Sequence, residues 1–522
     1  MDVLVSLWLA LVAVTALRPR RRGRLAALAY PIGWIAGELP VQAIVLELAL
    51  LGLVAGTGWP TRWWEDAAVS VLALVVLAAN LALLAASVGA RRHVARALAG
   101  AERPLVPAAP DRYGRWWRTL AQLPIHPRSM TLVRDVPYGP EARHRLDLWY
   151  YGTPEAAPVI LYLHGGAWTF GDKREQGRPM LHEFAARGWL VVTANYRLAP
   201  AHPWPAQIED VTRTLGWLKS EVARYGGDPD RIVVAGGSAG GHLAALLGLA
   251  SEDPTWRPAD LAVADWSVRG VISLYGVLEM TGDETHWRGL GRGLRHLLEH
   301  RVVQRPYDGH EDLYRAISPL HRITPAAPPF LVVQGVTDTL VDVSVARGFV
   351  EAFRDRCAAL CYHVELPLTQ HAFDVTASPR TTAVTRAAVA FADVVAAPRR
   401  ALDDELRAAY GAPPTELLVE GEDPVTVAAR EGDYVVVTPD HPNSVLVPDE
   451  VLTERRAELA RLVARRGWRS RASVARDPRG SWPDEHGLAL WVDDVAARAL
   501  ARRFGQVAYY RVTTAGVEVV AA

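Results

Sequence analysis

Along the first hundred residues the apolar positions form long unbroken runs, whereas from Leu146 onward they form short runs set between stretches of helical spacing. The long runs are Val3 to Leu17, roughly Trp34 to Gly56, and Ala67 to Ala90, the last without a charged residue. A helix needs about 20 apolar residues to cross a bilayer. Residues 1–100 are therefore expected to form a membrane anchor of about three helices. The first run is not a cleavable signal in this reading, because Asp2 precedes it and its positive charges follow it. Pro31 and Pro40 leave the second helix open to a kinked or partly interfacial course. Glu38 and Glu47 lie in that segment, where a carboxylate is costly unless it is protonated, paired or near an interface.

The short runs predict strands at Leu146 to Tyr151, Val159 to Leu163, Trp189 to Asn195, Ile232 to Ala235, Gly270 to Leu274, Phe330 to Gln334 and Tyr362 to Leu366. Strands alternating with helical patterns predict a largely parallel sheet covered by helices on both faces. VILYL, IVVA and FLVV are continuously apolar, as strands buried on both sides are. PLVPAAP, Pro104 to Pro110, reads as a stiff linker between anchor and body. After Ala397 the charged stretch PRRALDDE precedes a third unit. That unit is expected to hold a strand (433–438), a helix (450–466), a strand (487–492), a helix (493–504) and two final strands, a small α+β domain. The expected boundaries are 1–100 for the anchor, 111–398 for the α/β body and 403–522 for the last domain. Asn443 and Trp482 in that domain read as turn and core residues.

Charge changes this picture only locally. Lys plus Arg and Asp plus Glu both number 57, so nothing global points to nucleic acid. Arg18, Arg20, Arg21, Arg22 and Arg24 follow the first apolar run, and Arg91, Arg92 and Arg96 follow the third. The loop between the second and third runs has Arg62 against Glu65 and Asp66, with Trp59, Trp63 and Trp64 suited to an interfacial belt. The arginine bias predicts an external amino terminus and a cytoplasmic body. The two cysteines, Cys357 and Cys361, exclude a disulfide framework and could share a helix face four residues apart. Two thiols alone do not close a zinc site.

Candidate chemistry gathers just after the strands, where open α/β sheets place it. IVVA is followed by Gly236, Gly237, Ser238, Ala239 and Gly240, a G-x-S-x-G turn between strand and helix. VILYL is followed by His164, Gly165, Gly166, Ala167 and Trp168, a loop whose N–H groups can face a developing oxyanion. The expected donors are Gly165, Gly166 and Ala239, and His164 is expected to hold the loop. Asp338 follows FLVVQG, and His371 lies in TQHAFD beyond the next strand. A serine hydroxyl needs a neighbouring imidazole to remove its proton. Ser238 is the expected nucleophile, His371 the base and Asp338 the residue that orients it. Asp342 and Asp374 read as solvated or capping carboxylates.

HGGAW, NYRLAP, AHPWPAQIEDV and GGDPDRIVVAGGSAGGHLA together resemble the hormone-sensitive-lipase-like branch of the α/β-hydrolases, over roughly Leu146 to Ala397. The resemblance implies an α/β-hydrolase fold and hydrolysis of small-molecule or lipid carboxylic esters through an acyl-enzyme, with no metal or organic cofactor. It places nucleophile, acid and base on Ser238, Asp338 and His371. The chain departs from the pattern at Gly237, where an acidic residue is common, and at Ala167, where a third glycine is. The segment Glu279 to Leu320 falls where such enzymes carry variable cap structure. RRFGQVAYYRV faintly resembles a small bacterial domain of unknown function. Two rival readings are an arylformamidase-like amide hydrolase and a catalytically silent membrane scaffold.

Overall fold

The computed structural model describes residues 26–56, 63–108, 129–398, 416–441, 446–477 and 482–522, apart from single positions within them, together with Thr15 and Leu17. Most of the expected first span, the arginines at 18–24, Trp59 and Arg62, the end of the proline linker, most of PRRALDDE and Asn443 lie outside the described residues. The chain divides into two compact units, one of residues 1–322, 330–351 and 361–396, the other of 323–329, 352–360 and 397–522.

In the first unit the second apolar run is divided between α1 (Ala26–Glu38) and α2 (Pro40–Gly56), and the third begins α3 (Trp63–Ala99). The break falls at Leu39, before a proline that disfavours helical backbone in the preceding residue. Among the described residues one helix, Ser70–Ala99, is long and apolar enough to cross a membrane. The expected three spans are thus not shown.

The body follows as β1 (Met130–Pro137), β2 (Arg145–Tyr151), β3 (Ala157–Leu163), α4 (Arg178–Ala186), β4 (Leu190–Ala194), α5 (Ala206–Glu221), β5 (Gly227–Gly237) and α6 (Ala239–Ala250). It continues as β6 (Gly270–Leu274), the short helices α7 (Glu284–Trp287), α8 (Gly291–Leu297) and α9 (Glu311–Ala316), β7 (Phe330–Gly335), α10 (Val343–Arg356), β8 (Cys361–Leu366) and α11 (Pro379–Val395). Among the described residues these strands form one eight-stranded sheet ordered β1-β2-β4-β3-β5-β6-β7-β8. From β4 to β8 neighbouring strands are parallel, and β2 and β1 are antiparallel at one edge. Every residue of β4, β6 and β7 is buried, as their largely apolar sequences favour. This is the mostly parallel, helix-covered sheet expected of an α/β-hydrolase.

The amino-terminal helices share this unit's core. Ala36 and Leu83 are buried together, with Leu368 packed against them. Leu98 is fully buried, and the Tyr362 hydroxyl of β8 donates to Arg103 O at 2.8 Å. The PLVPAAP segment is no free spacer, since Ala108 N donates to Arg386 O of α11 at 3.2 Å. Both acidic residues of the second run have partners. Glu38 pairs with Arg380 of α11, with both side chains wholly buried, and Glu47 accepts a hydrogen bond from Asn80 of α3 at 3.3 Å.

The second unit contains β9 (Glu416–Val419), α12 (Pro424–Glu431), β10 (Tyr434–Val437), α13 (Asp449–Arg465), β11 (Ser470–Arg476), β12 (Glu485–Leu490), α14 (Asp494–Arg503), β13 (Ala508–Thr513) and β14 (Gly516–Ala521). Its strands form a sheet ordered β14-β13-β10-β12-β11-β9. α13 and α14 bury Leu459, Leu462 and Leu500, together with Phe504 just past α14, in one core with Val435, Val437 and Leu490 of the sheet. Trp482 is half-buried and donates to Glu485 at 2.9 Å. Cys357 lies just past α10 and Cys361 begins β8, so the two thiols do not share a helix face. Burial pushes the Cys357 thiol up to about 11.

Candidate active site

β5 ends in Gly236 and Gly237, and α6 begins at Ala239, which leaves Ser238 alone in the turn with φ 55° and ψ −121°. A left-handed backbone at a non-glycine residue is strained and is tolerated only where its surroundings fix it. Here Ser238 N donates to Leu274 O at 2.9 Å, and His242 N donates to Ser238 O at 2.9 Å. The flanking glycines are needed for space. A Cβ on Gly240 would lie 2.0 Å from Leu163 O, and one on Gly237 would lie 2.4 Å from Tyr275 Oη. The second contact explains why this chain has no acidic side chain before the serine: Tyr275 fills that place.

The loop after β3 is fixed at several points. Gly166 has φ 118°, and Ala167 and Trp168 are also left-handed. The buried Trp168 indole donates to His242 Nδ1 at 3.2 Å, fastening the loop to α6. His164 stacks on Tyr196 with ring centroids 4.4 Å apart, and its Nδ1 meets Gly165 O at 2.8 Å. Burial holds the His164 imidazole down at about 4 and His242 likewise at about 4. Both rings are neutral near pH 7. Of the three expected oxyanion donors, Gly165 N–H is already engaged, donating to Gln176 Oε1 at 2.8 Å. Ala239 is the first residue of α6, so its N–H has no acceptor within the helix. Among the described residues no hydrogen bond occupies the N–H of Gly166.

Asp338 and His371 come together at the carboxyl ends of β7 and β8. Asp338 Oδ2 lies 2.7 Å from His371 Nδ1 and also accepts from Gln334 Nε2 at 2.9 Å. Its Oδ1 accepts from Leu340 N at 2.8 Å and Val341 N at 2.9 Å. The carboxylate is buried but fully bonded, as buried charge must be. Gln370 Oε1 accepts from both His371 N and Thr339 N, tying the two loops to each other. The His371 ring meets the edge of Tyr275 at 4.6 Å. Tyr275 thus touches His371 and also stands against Gly237, the residue before Ser238. Among the described residues no hydrogen bond joins Ser238 Oγ to His371 Nε2.

The two alternative carboxylates have other places. Asp342 accepts from Ser344 N at 2.9 Å at the start of α10, a capping role. Asp374 is neither solvated nor a cap. It is buried and bonded by the hydroxyls of Tyr275 and, at 3.4 Å, Tyr162. Burial raises its carboxyl above the usual range despite these bonds. Sequence reasoning missed this cluster and the engagement of Gly165 by Gln176. TQHAFD carried the only signal, an acidic residue three positions after the histidine. The Glu279 carboxylate anchors the segment before β7 rather than facing solvent, accepting from Thr281 N, Gly282 N and the Trp287 indole.

Residues 146–353 match the family model described as BD-FAE, and residues 437–509 match that of a protein of unknown function, DUF3293. The chain is 36% identical over 385 residues to the probable carboxylic ester hydrolase LipM of Mycobacterium tuberculosis, which covers 70% of this chain and 86% of LipM. It is 38% identical over 274 residues to esterase LipQ of the same organism, covering 52% of this chain and 64% of LipQ, slightly under two thirds. Among solved structures, esterase B from Lactobacillus rhamnosis aligns with a TM-score of 0.45 at 20% identity, covering 52% of this chain and 87% of that one.

Proposed function

Because the chain belongs to the family of α/β-hydrolase carboxylesterases, we propose that it hydrolyses carboxylic esters through an acyl-enzyme on Ser238. The observation that carries this reading is the buried His371–Asp338 pair at 2.7 Å, level with a serine on a strained strand-to-helix turn. Asp338 holds Nδ1 of the imidazole, which leaves Nε2 to take the Ser238 proton as Oγ attacks the ester carbonyl. His371 then returns that proton to the departing alkoxide. In the second half-reaction it takes a proton from water as the water oxygen attacks the acyl carbonyl, then gives that proton to Ser238 Oγ as the acyl–oxygen bond breaks and the acid leaves. Bonds between nucleophile and base are often long in resting enzymes and tighten with substrate.

The tetrahedral oxyanion would be held by the N–H groups of Gly166 and Ala239. Gly165 joins them only if Gln176 swings away. One such donor contributes about 10²–10³ in rate. No step calls for a metal or organic cofactor. The organisation proposed is an anchor in residues 1–100, a catalytic body in 111–398 and a further domain in 403–522. α3 is the membrane anchor in this reading, and Arg91, Arg92 and Arg96 near its carboxyl end favour the cytoplasmic side for the body. A fluorescent protein or phosphatase fused at Ala522 reports the side: external phosphatase activity overturns it. Kinetics on short-chain p-nitrophenyl esters and N-formyl aromatic amines test the chemistry. Ester turnover that is lost in Ser238→Ala is expected, and a preference for the formamides would favour the amide-hydrolase reading.

A further inference from the structure

α3 is not a tether that leaves the body free to turn in any direction. Leu83 packs with Ala36 against Leu368, two residues past the carboxyl end of β8. At the other end, Tyr362 near the start of β8 donates to Arg103 O, four residues past the end of α3. The helix therefore runs antiparallel to β8. Leu83 to Ala99 spans about 24 Å at a helical rise, and Cys361 to Leu368 spans about 23 Å at a strand rise, so the two lengths agree. The remaining part of α3, from Trp63 to Leu83, continues about 30 Å beyond the sheet, the thickness of a bilayer's hydrocarbon core. It extends past the carboxyl ends of the strands, the end that carries Ser238, Asp338 and His371. Its exposed side chains include Val71, Leu74, Val75 and Leu81.

The body presents apolar groups to that same side. Among the described residues of 129–398, the exposed large apolar side chains are Phe170 at 63%, Leu340 at 41% and Val375 at 37%. Phe170 follows the oxyanion loop, Leu340 sits in the turn that binds Asp338, and Val375 lies four residues past His371. Arg91 and Arg92 are exposed on α3 about 12 Å from Leu83, toward the amino ends of the strands. Arginines collect at the polar boundary of a membrane, so the stretch from Leu83 to Arg91 spans the headgroup zone and the catalytic loops, level with Leu83, lie at its lipid-facing edge.

We infer that the rim of the Ser238 site rests on the bilayer itself, and that its substrate is a water-insoluble, long-chain acyl ester drawn directly from the lipid. The inference rests on the ester-hydrolase reading above and adds where the ester comes from. The test uses the full chain, in a Cys361→Ser background, reconstituted in phosphatidylcholine vesicles with brominated acyl chains. A bimane label is placed at Val375→Cys, Leu340→Cys or, as a control on the exposed loop before β3, Glu155→Cys. Quenching several-fold stronger at 375 and 340 than at 155 is expected. Equal quenching at all three overturns the inference. In the same vesicles, tenfold dilution of an oleoyl fluorogenic ester with phosphatidylcholine at fixed bulk concentration should lower the subsaturating rate about tenfold, whereas a rate blind to that dilution also overturns it. Turnover of the water-soluble acetate ester that survives Ser238→Ala would instead sink the serine reading and leave the quenching result to decide the orientation.

Discussion

Replacing Gly240 by alanine puts one methyl group where the elbow has no room. The added Cβ would lie 2.0 Å from Leu163 O and 2.6 Å from His164 O, against an ordinary contact of 3.4 Å or more. Both obstacles are backbone, so neither can rotate away, and α6 must move from β3 by more than an ångström. Leu163 ends β3 and His164 opens the loop that carries Gly166, so the displacement separates Ser238 from one of the two N–H groups that would hold its oxyanion. A misplacement of about 1 Å can cost about 10²-fold in rate, and forced overpacking costs about 1–3 kcal/mol of stability. Gly240→Ala is therefore expected to lose about 10²-fold in kcat/KM on p-nitrophenyl butyrate, with a lowered thermal midpoint. Gly293→Ala, where the added atom meets nothing within 4 Å, serves as the control. If Gly240→Ala keeps the parent kcat/KM, the packing argument for the elbow is wrong.

Arg380→Met strands the buried Glu38 and releases Leu368 O, which Arg380 also bonds. A loss of about 3–5 kcal/mol is expected, recovered in large part by adding Glu38→Met; thermal unfolding in detergent checks this, and a double variant no better than the single contradicts it. Deleting residues 1–100 is expected to abolish folding, because Leu83 and Leu98 leave the core and Arg380 loses its partner. A soluble, active fragment of 101–522 would refute the shared core. In the second unit, burial pushes Glu485 up to about 7 from an ordinary 4.5. Between those values the folded chain holds a proton that the unfolded chain has released, so stability falls as pH rises through the window and levels off above it. Hydrogen-exchange protection of β12 should follow that slope, and Glu485→Gln should remove it; an unchanged slope rejects the assignment.

The body was legible because its central strands are short and largely apolar, and VILYL or IVVA can only be buried on both faces. β1 was not, since MTLVRDVP is an edge strand with exposed and half-buried positions and carries no clean alternation. In the second unit β10, α13, β12 and α14 fall near their expected places, but β9, α12 and β11 were missed, β11 because SRASVAR is polar and only Ser473 is buried. The anchor shows a deeper limit. Hydropathy measures the wish to leave water and does not say whether lipid or protein receives the helix, so α3 was read as free of a body it packs against. Asp374 with Tyr275, and Gly165 with Gln176, are contacts set by the tertiary fold, which no spacing rule reports. The strand-to-helix turn at Ser238 was visible because glycines on both sides of a serine, after a buried strand, leave a physical signature in the sequence itself.

Ser238 is the proposed nucleophile. Incubating the full chain with a fluorophosphonate and locating the adduct by peptide mass spectrometry tests it most directly. One adduct on the Ser238 peptide is expected, absent in Ser238→Ala and formed far more slowly in His371→Ala. An adduct on another residue, or labelling undiminished in Ser238→Ala, would contradict the account.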